Sequence, residues 1–366
     1  MDRLRERQKE VEVLNTWARC LDNRLSSPHE PGESCRPMLG YGIEMPWRAV
    51  PQRCSRVIGA MNTSGIQWPE KTRELKSVLF DSTRWNGFRF RDDDIVVVTW
   101  SKTGTTLTQQ LVFQLIFAGK PGLYGEPGGG LSPWLDGPAP FPEMLVQLEA
   151  QRHRRCIKSH LPRDALVIDP RVRYLYVGRD ARDVIWSVFN HHLGFTQEAR
   201  DLMNGAPDRG GPPILPIDRD VRDYYLHWLD HDALPGFPMP SFWDHIRGWW
   251  EVRGLPNVLL LHFNDLINDL ERQLRRVAHF LGIHIDEARL PAMLEHCSLE
   301  YMRAAVPTSS AVNRIFKDGP RTFFNRGTNG RWRDVLSADE IARCDKISAA
   351  RLPPDCAHWL ITGELN

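Results

Sequence analysis

The chain has 366 residues, 42% of them apolar and 25% charged, which suits a large folded core rather than a fibrous or disordered chain. Its 47 basic and 46 acidic side chains nearly cancel, so the basic excess expected of a nucleic-acid-binding domain is missing. No apolar run approaches the roughly 18 residues that a membrane-spanning helix needs, and the charged start MDRLRERQKEVEVLN lacks the apolar stretch of a secretory signal.

Residues 1–60 pair a charged segment with SSPHEPGESCRPMLGYGIEMPWRAVPQ, rich in Pro, Gly and Ser, and read as a poorly ordered extension. The domain proper is expected from Met61 to Asn366. There PEKTRELKSVLFDSTRW reads as a short helix and a turn. DDDIVVVTW reads as a buried strand launched from a solvated acidic turn. In LTQQLVFQLIFAG, Leu107, Leu111 and Leu115 with Val112 and Ile116 give the spacing of an amphipathic helix. A Gly/Pro-rich loop, a helix (EMLVQLEAQ), two strands (RCIKSHLP and RVRYLYVGR) and a helix (DARDVIWSVFNHH) follow. Residues 193–240 read as a long irregular insertion. SFWDHIRGWWEVRG is then a helix, NVLLLHF a strand, and LERQLRRVAHFLG a helix ended by Gly282. Strands alternating with helices predict an α/β fold, a mostly parallel sheet flanked by helices on both faces. The seven cysteines, odd in number and without a C-x-x-C pair, read as free thiols, which fits a cytoplasmic protein and offers no metal site. Arg152, His153, Arg154 and Arg155 form a local basic cluster able to make a small anion site.

Four segments carry the chemistry. TWSKTGTT at 99–106 joins a buried strand to a helix, where unpaired N–H groups meet the positive end of the helix dipole. Gly104 lets the chain turn tightly, Thr103, Thr105 and Thr106 add hydroxyls, and Lys102 adds a point charge. The spacing is not that of the nucleoside-triphosphate loop, G-x-x-x-x-G-K-[ST]. CIKSHLP puts His160 just past a strand end, with Lys158 two residues earlier on the same face. YLYVGRDARDVIWS offers Arg179 and Ser187 to a phosphate. FFNRGTNGRW is a loop in which Arg326 and Gly327 suit a backbone-first approach to a phosphate. Each alone has an ordinary structural reading: a capped turn, a core histidine, a salt-bridged helix start, a surface turn.

In this order the four resemble the sulfotransferases that use 3′-phosphoadenosine 5′-phosphosulfate (PAPS). That family's Y-P-K-[ST]-G-T-T-W stands here as W-S-K-T-G-T-T-L, its K-[TS]-H-[LT]-P as KSHLP, its R-[ND]-x-[KR]-D-x-x-x-S as RDARDVIWS, and its R-K-G-x-x-G-x-W as NRGTNGRW. The likeness covers about residues 65–350, and SPWLD, QRHRR and VGRDARD are similar to bacterial members of the mycobacterial glycolipid sulfotransferase kind. The resemblance implies a P-loop-like single domain, PAPS as co-substrate, no metal, and a small-molecule acceptor. It implies that Lys102 contacts the bridging oxygen, that Thr103, Gly104, Thr105 and Thr106 cradle the 5′-phosphosulfate, and that Arg179, Ser187, Arg326 and Gly327 hold the 3′-phosphate. His160 becomes the general base, assisted by Lys158. Leu107, Phe263, Cys297 and Leu299 replace the family's usual tryptophan, tyrosine, threonine and phenylalanine around the base, and Asn325 stands where an arginine usually flanks the 3′-phosphate. The family's K-x-x-x-T-V-x-x-x-E dimer segment has no counterpart in AAVPTSSAVNRIFKDG, which leaves the oligomeric state open.

Sulfuryl transfer, like phosphoryl transfer, proceeds through a loose in-line transition state that positioning and electrostatics serve best. A nucleotide kinase would need a Walker lysine and a metal-binding aspartate, which the sequence does not offer. A nucleotide-binding protein that has lost catalysis stands as the other alternative, given the altered base pocket. Phe195, Tyr224, Tyr225, Trp228, Phe237, Phe242 and Trp243 either line an apolar acceptor pocket, with His191 and His192 at its rim, or pack as ordinary core.

Overall fold

A computed structural model of the chain describes residues 65–124, 130–205 and 210–365; the extension expected over residues 1–60 lies outside them. The chain divides into two units, Met1–Ser64 and Gly65–Asn366, and the described residues belong to the second.

The run IVVVT forms β1 (Ile95–Thr99), buried at every position. Continuous burial is what a parallel strand covered on both faces requires. With β2 (Cys156–Ser159), β3 (Arg173–Gly178) and β4 (Val258–His262) it makes a parallel sheet in the order β2-β1-β3-β4. Ile95 lies opposite both Cys156 and Arg173, and Tyr174 opposite Val258. Alternate side chains feed two cores. Val96, Val98, Ile157, Tyr174 and Tyr176 pack on one face with Trp85 and Trp249, while Ile95, Val97, Leu175 and Val177 pack on the other.

The helices are α1 (Thr105–Ile116), α2 (Phe141–Ala150), α3 (Ala181–Leu193), α4 (Gln197–Asn204), α5 (Val221–His231), α6 (Phe242–Glu251), α7 (Phe263–Asn268) and α8 (Leu270–Leu281). They are followed by α9 (Leu290–His296), α10 (Leu299–Ala304), single turns at Val312–Ile315 and Pro320–Phe323, α11 (Ala338–Arg351) and α12 (Pro354–Thr362). Leu111 and Leu115 of α1, Leu274 and Val277 of α8 and Met293 of α9 fill the second core. From β1 the chain passes to β2 on one side, then crosses to β3 on the other. The carboxyl end of β1 is therefore a topological switch point, the place where open α/β sheets bind ligands. Among the described residues no helix is long and apolar enough to cross a membrane.

Four expectations need correction. PEKTRELK is not helical: the amides of Thr72 and Arg73 both donate to the carbonyl of Asp164, at 2.9 Å each, and only Ser82–Trp85 makes a helical turn. Residues 193–240 are not wholly irregular. Thr196 caps α4 by accepting from Ala199, Asp220 caps α5 by accepting from Asp223, and Tyr224, Tyr225, Trp228 and Leu229 bury one face of α5. Asp94 does not lie in a solvated turn; it is buried, accepting from Arg155 Nε at 2.8 Å. That pair, with Glu149 on the same guanidinium and Arg154 Nε on the Asp93 carbonyl at 2.6 Å, spends the basic cluster on structure rather than on an anion. Cys156, Cys297, Cys344 and Cys356 are free and buried, in keeping with the sequence; Cys20, Cys35 and Cys54 lie outside the described residues.

Candidate active site

The loop after β1 turns through two residues with positive φ. Lys102 and Gly104 hold φ of 69° and 125°, and a side chain at Gly104 would meet Phe263 at 3.0 Å and Val177 at 3.3 Å. The unusual Lys102 backbone is held from outside, because its carbonyl accepts from Arg179 Nη1 at 3.0 Å. Thr103 turns inward, its hydroxyl donating to the Trp100 carbonyl at 2.9 Å, so it braces the loop rather than facing the cleft. Thr105 lies 2.7 Å, hydroxyl to hydroxyl, from Thr99. Helix α1 starts at Gly104 without a side-chain cap, which leaves its first N–H groups to another acceptor. Thr106 is half-buried at that end.

His160 follows β2. Its Nδ1 lies 2.8 Å from the Thr99 carbonyl, and a carbonyl only accepts. Nδ1 therefore carries the proton and Nε2 keeps its lone pair. The histidine backbone is fixed on both sides: its N–H donates to Asp136 Oδ2 at 3.4 Å, and its carbonyl lies 3.3 Å from His245 Nε2. Tyr176 reaches the other ring nitrogen of His245 at 3.0 Å. Asp136 also accepts from the indoles of Trp85 and Trp134, each at 3.1 Å. The ammonium of Lys158 sits 4.3 Å from the Trp134 ring centre, and the His160 ring meets the edge of the same indole.

Arg179 follows β3 and is 5% exposed, with its guanidinium 4.1 Å from the ring centre of buried Phe263. Its Nε and Nη2 donate to Asn329 Oδ1 at 2.9 and 2.6 Å, and Nη2 also reaches the Thr328 carbonyl at 3.2 Å. Asn329 bonds in turn to Asn264, and the Gly330 N–H donates to Asp183 Oδ1 at 2.6 Å. The loop that carries Arg326 and Gly327 is thus tied to the ends of β3 and β4. Arg326 is exposed, Gly327 turns the chain at φ 67°, and Ser187 is half-buried along α3.

The electrostatics are one-sided. Burial, then the charges of Lys158 and Arg179, brings Lys102 down to about 7, and burial brings Lys158 to about 8. Burial lowers Arg179 to about 10 and keeps His160 well below the ordinary histidine value. Among the described residues, Lys102, Lys158, Arg179, Arg326 and Arg331 form no ion pair within 4.0 Å, although most other arginines do. Arg179 is buried and Lys102, Lys158 and Arg331 are half-buried, and cations withdrawn from water without counter-charges are costly alone and suit a polyanion. No group of three or more His, Cys, Asp or Glu among the described residues is placed to hold a metal ion.

Two residues stand out, one absent from the sequence-based site and one read there only as a rim. Asp136 anchors the backbone of His160, and its only sequence signal was the phrase SPWLD. His191, read as a pocket rim, has its Nδ1 3.3 Å from Lys102 Nζ and packs against Phe195, Phe316 and Phe323. Its neighbour His192 turns away, with Nε2 2.6 Å from the Leu215 carbonyl. Tyr224, Tyr225, Trp228, Phe242 and Trp243 are core.

Comparison with known proteins bears on this geometry. A family model described as "Sulfotransferase domain" matches residues 92–353. A glycolipid sulfotransferase of Mycobacterium tuberculosis is 33% identical over 311 residues, covering 79% of this chain and 94% of that protein. Rat sulfotransferase 1A1 is 26% identical over 272 residues, covering 72% and 86%. Among solved structures, a mouse sulfotransferase complexed with PAP aligns at a TM-score of 0.57 and 20% identity, covering 76% of this chain and 91% of that one. A retinol dehydratase in complex with retinol and PAP aligns at 0.56 and 20% identity, covering 74% and 84%. At such identities the structural matches speak for the fold.

Proposed function

The chain belongs to the sulfotransferase family, and on that premise we propose that it moves the sulfuryl group of PAPS onto a hydroxyl (or amine) of a small apolar acceptor of the glycolipid or phenol kind, with His160 as general base. The reading rests on the tautomer of His160. With Nδ1–H donating to the Thr99 carbonyl, Nε2 is the nitrogen left to take a proton, and burial beside Lys158 keeps the ring neutral across the physiological range.

The other roles follow from position. The uncapped start of α1, with Thr105 and Thr106, offers N–H groups to the 5′-phosphosulfate. Lys102 supplies positive charge to the leaving oxygen, and Lys158 supplies it to the sulfuryl oxygens from the His160 side. Arg179, Ser187, Arg326 and the Gly327 backbone hold the 3′-phosphate, with Phe263 supporting the Arg179 guanidinium from beneath. The aromatic group of His191, Phe195, Phe316 and Phe323 supplies an apolar wall beside Lys102, which favours an acceptor with a lipid or ring body. The mycobacterial relative's name points to the same acceptor class.

The test is His160→Ala, assayed with labelled PAPS against a panel of phenols, sterols and glycolipids. Turnover should fall by about two to four powers of ten, while calorimetric affinity for adenosine 3′,5′-bisphosphate stays within about twofold. Undiminished turnover would remove His160 from the chemistry.

A further inference from the structure

The loop from Phe323 to Trp332 carries a second arginine that the recognised motif does not use. Gly327 and Gly330, at φ 67° and 81°, fold this loop so that Thr328 and Asn329 reach the Arg179 guanidinium. Arg326 and Arg331 flank that contact, and Arg331 Nη1 donates to Asn325 Oδ1 at 3.3 Å. Arg331 is half-buried and forms no ion pair within 4.0 Å, whereas Arg182 on the adjoining helix pairs with both Asp180 and Asp345. The acid facing this group, Asp183, is engaged by the Gly330 N–H at 2.6 Å. Burial lowers both Arg331 and Arg179; the charge of Arg326 adds to it at Arg331 and that of Arg331 at Arg179, against the opposing charge of Asp183. A chain gains nothing by folding a glycine-hinged loop that brings three unpaired guanidiniums together, unless a multiply charged anion joins them.

We propose that Arg331 is a third guanidinium for the donor's 3′-phosphate, converging with Arg179 and Arg326 and taking over the place that Asn325 leaves neutral. The planar fork suits this role, because one arm holds the Asn325 amide oxygen and fixes the side chain, leaving the other arm to a phosphate oxygen. Arg331 then contributes to selection of a 3′-phosphorylated nucleotide over its 3′-hydroxyl counterpart. The inference rests on the reading of PAPS as donor.

The experiment is calorimetric titration of the full chain with adenosine 3′,5′-bisphosphate and, separately, adenosine 5′-monophosphate. Arg331→Ala should weaken the bisphosphate by about ten- to a hundredfold, the worth of one charge-assisted contact, and leave the monophosphate within about twofold. Arg331→Ala with Asn325→Arg should recover most of the loss, because the charge returns from the other side of the same contact. Unchanged bisphosphate affinity in Arg331→Ala, or an equal loss for both nucleotides, overturns the assignment while leaving the donor reading intact. A wild-type protein that does not favour the bisphosphate overturns the donor reading, and this inference with it.

Discussion

Thr99 joins the loop after β1 to His160, the proposed base. Its carbonyl accepts a hydrogen bond from the Nδ1–H of His160, and its hydroxyl lies 2.7 Å from that of Thr105 and 3.0 Å from the imidazole. One strand-end residue thereby fixes both the tautomer of His160 and the first turn of α1. The lysines are held differently. Lys102 touches His191 Nδ1 and the Phe323 face, Lys158 the Trp134 face, and neither has a carboxylate within 4.0 Å. Their values of about 7 and about 8 in the free protein have a consequence for binding. A bound polyanion raises both, so the complex holds more protons than the free protein, and affinity must fall as pH rises through the free-protein values. Adenosine 3′,5′-bisphosphate is therefore expected to bind progressively more weakly between about pH 7 and 9, above the roughly pH 6 titration of the phosphates themselves. Calorimetry at about pH 8 in buffers of contrasting ionisation enthalpy should register net proton uptake. Lys102→Arg, whose charge is permanent, should reduce that uptake. Zero uptake in the wild type would contradict the buried, unpaired state of these ammonium groups.

At the scale of elements, the site is the set of strand tips at one edge of the sheet. Lys102 follows β1, His160 follows β2, Arg179 follows β3 and Phe263 follows β4. Helix α12 braces that edge from behind: His262 Nε2 lies 3.1 Å from the Leu360 carbonyl, and Trp359 lies against Gly178 so closely that a Cβ there would sit 2.2 Å from the indole. Gly178→Ala should thus cost about 1–3 kcal/mol by overpacking, read as a lower urea midpoint, and should also weaken the bisphosphate because Arg179 is the next residue. An unchanged midpoint would show that the indole moves freely. Strands β1, β3 and β4 were legible because each is rich in apolar residues, and β2 only as the short CIKS segment; Lys102, His160 and Arg179 were in view because each stands just past such a segment. Asp136 was not, because its role is made by partners distant in sequence, Trp85 and the His160 backbone. His191 and His192 are adjacent letters on one helix, and only the rotation of α3 sends one to Lys102 and the other to Leu215. Helix α5 was hidden by prolines on either side, although Asp220 and the aromatic spacing from Tyr224 to Trp228 were in view.

Over the whole molecule, a net charge of +1 conceals an uneven distribution. Away from the cleft, arginines meet carboxylates, as in Arg73 with Asp164, Arg253 with Asp355 and Arg275 with Glu287. At the carboxyl edge of the sheet Lys102, Lys158 and Arg179 have no carboxylate within 4.0 Å among the described residues, whereas Arg182 beside them is paired. Balanced totals therefore say nothing of the pocket, since counts do not record which charges are paired. The same unevenness bears on the extension. Among the described residues, every strand, both cores and every group given a part in holding donor or acceptor fall within Gly65–Asn366, and the sulfotransferase-domain match lies inside it at residues 92–353. The first described stretch of that unit is already held within it, Lys71 Nζ reaching Glu74 at 2.8 Å and the Ser82 carbonyl at 2.9 Å. A chain of residues 61–366 is accordingly expected to fold and to bind adenosine 3′,5′-bisphosphate within about twofold of the full protein, by calorimetry alongside thermal unfolding. A tenfold loss of affinity at an unchanged melting temperature would instead give residues 1–60 a part in the site.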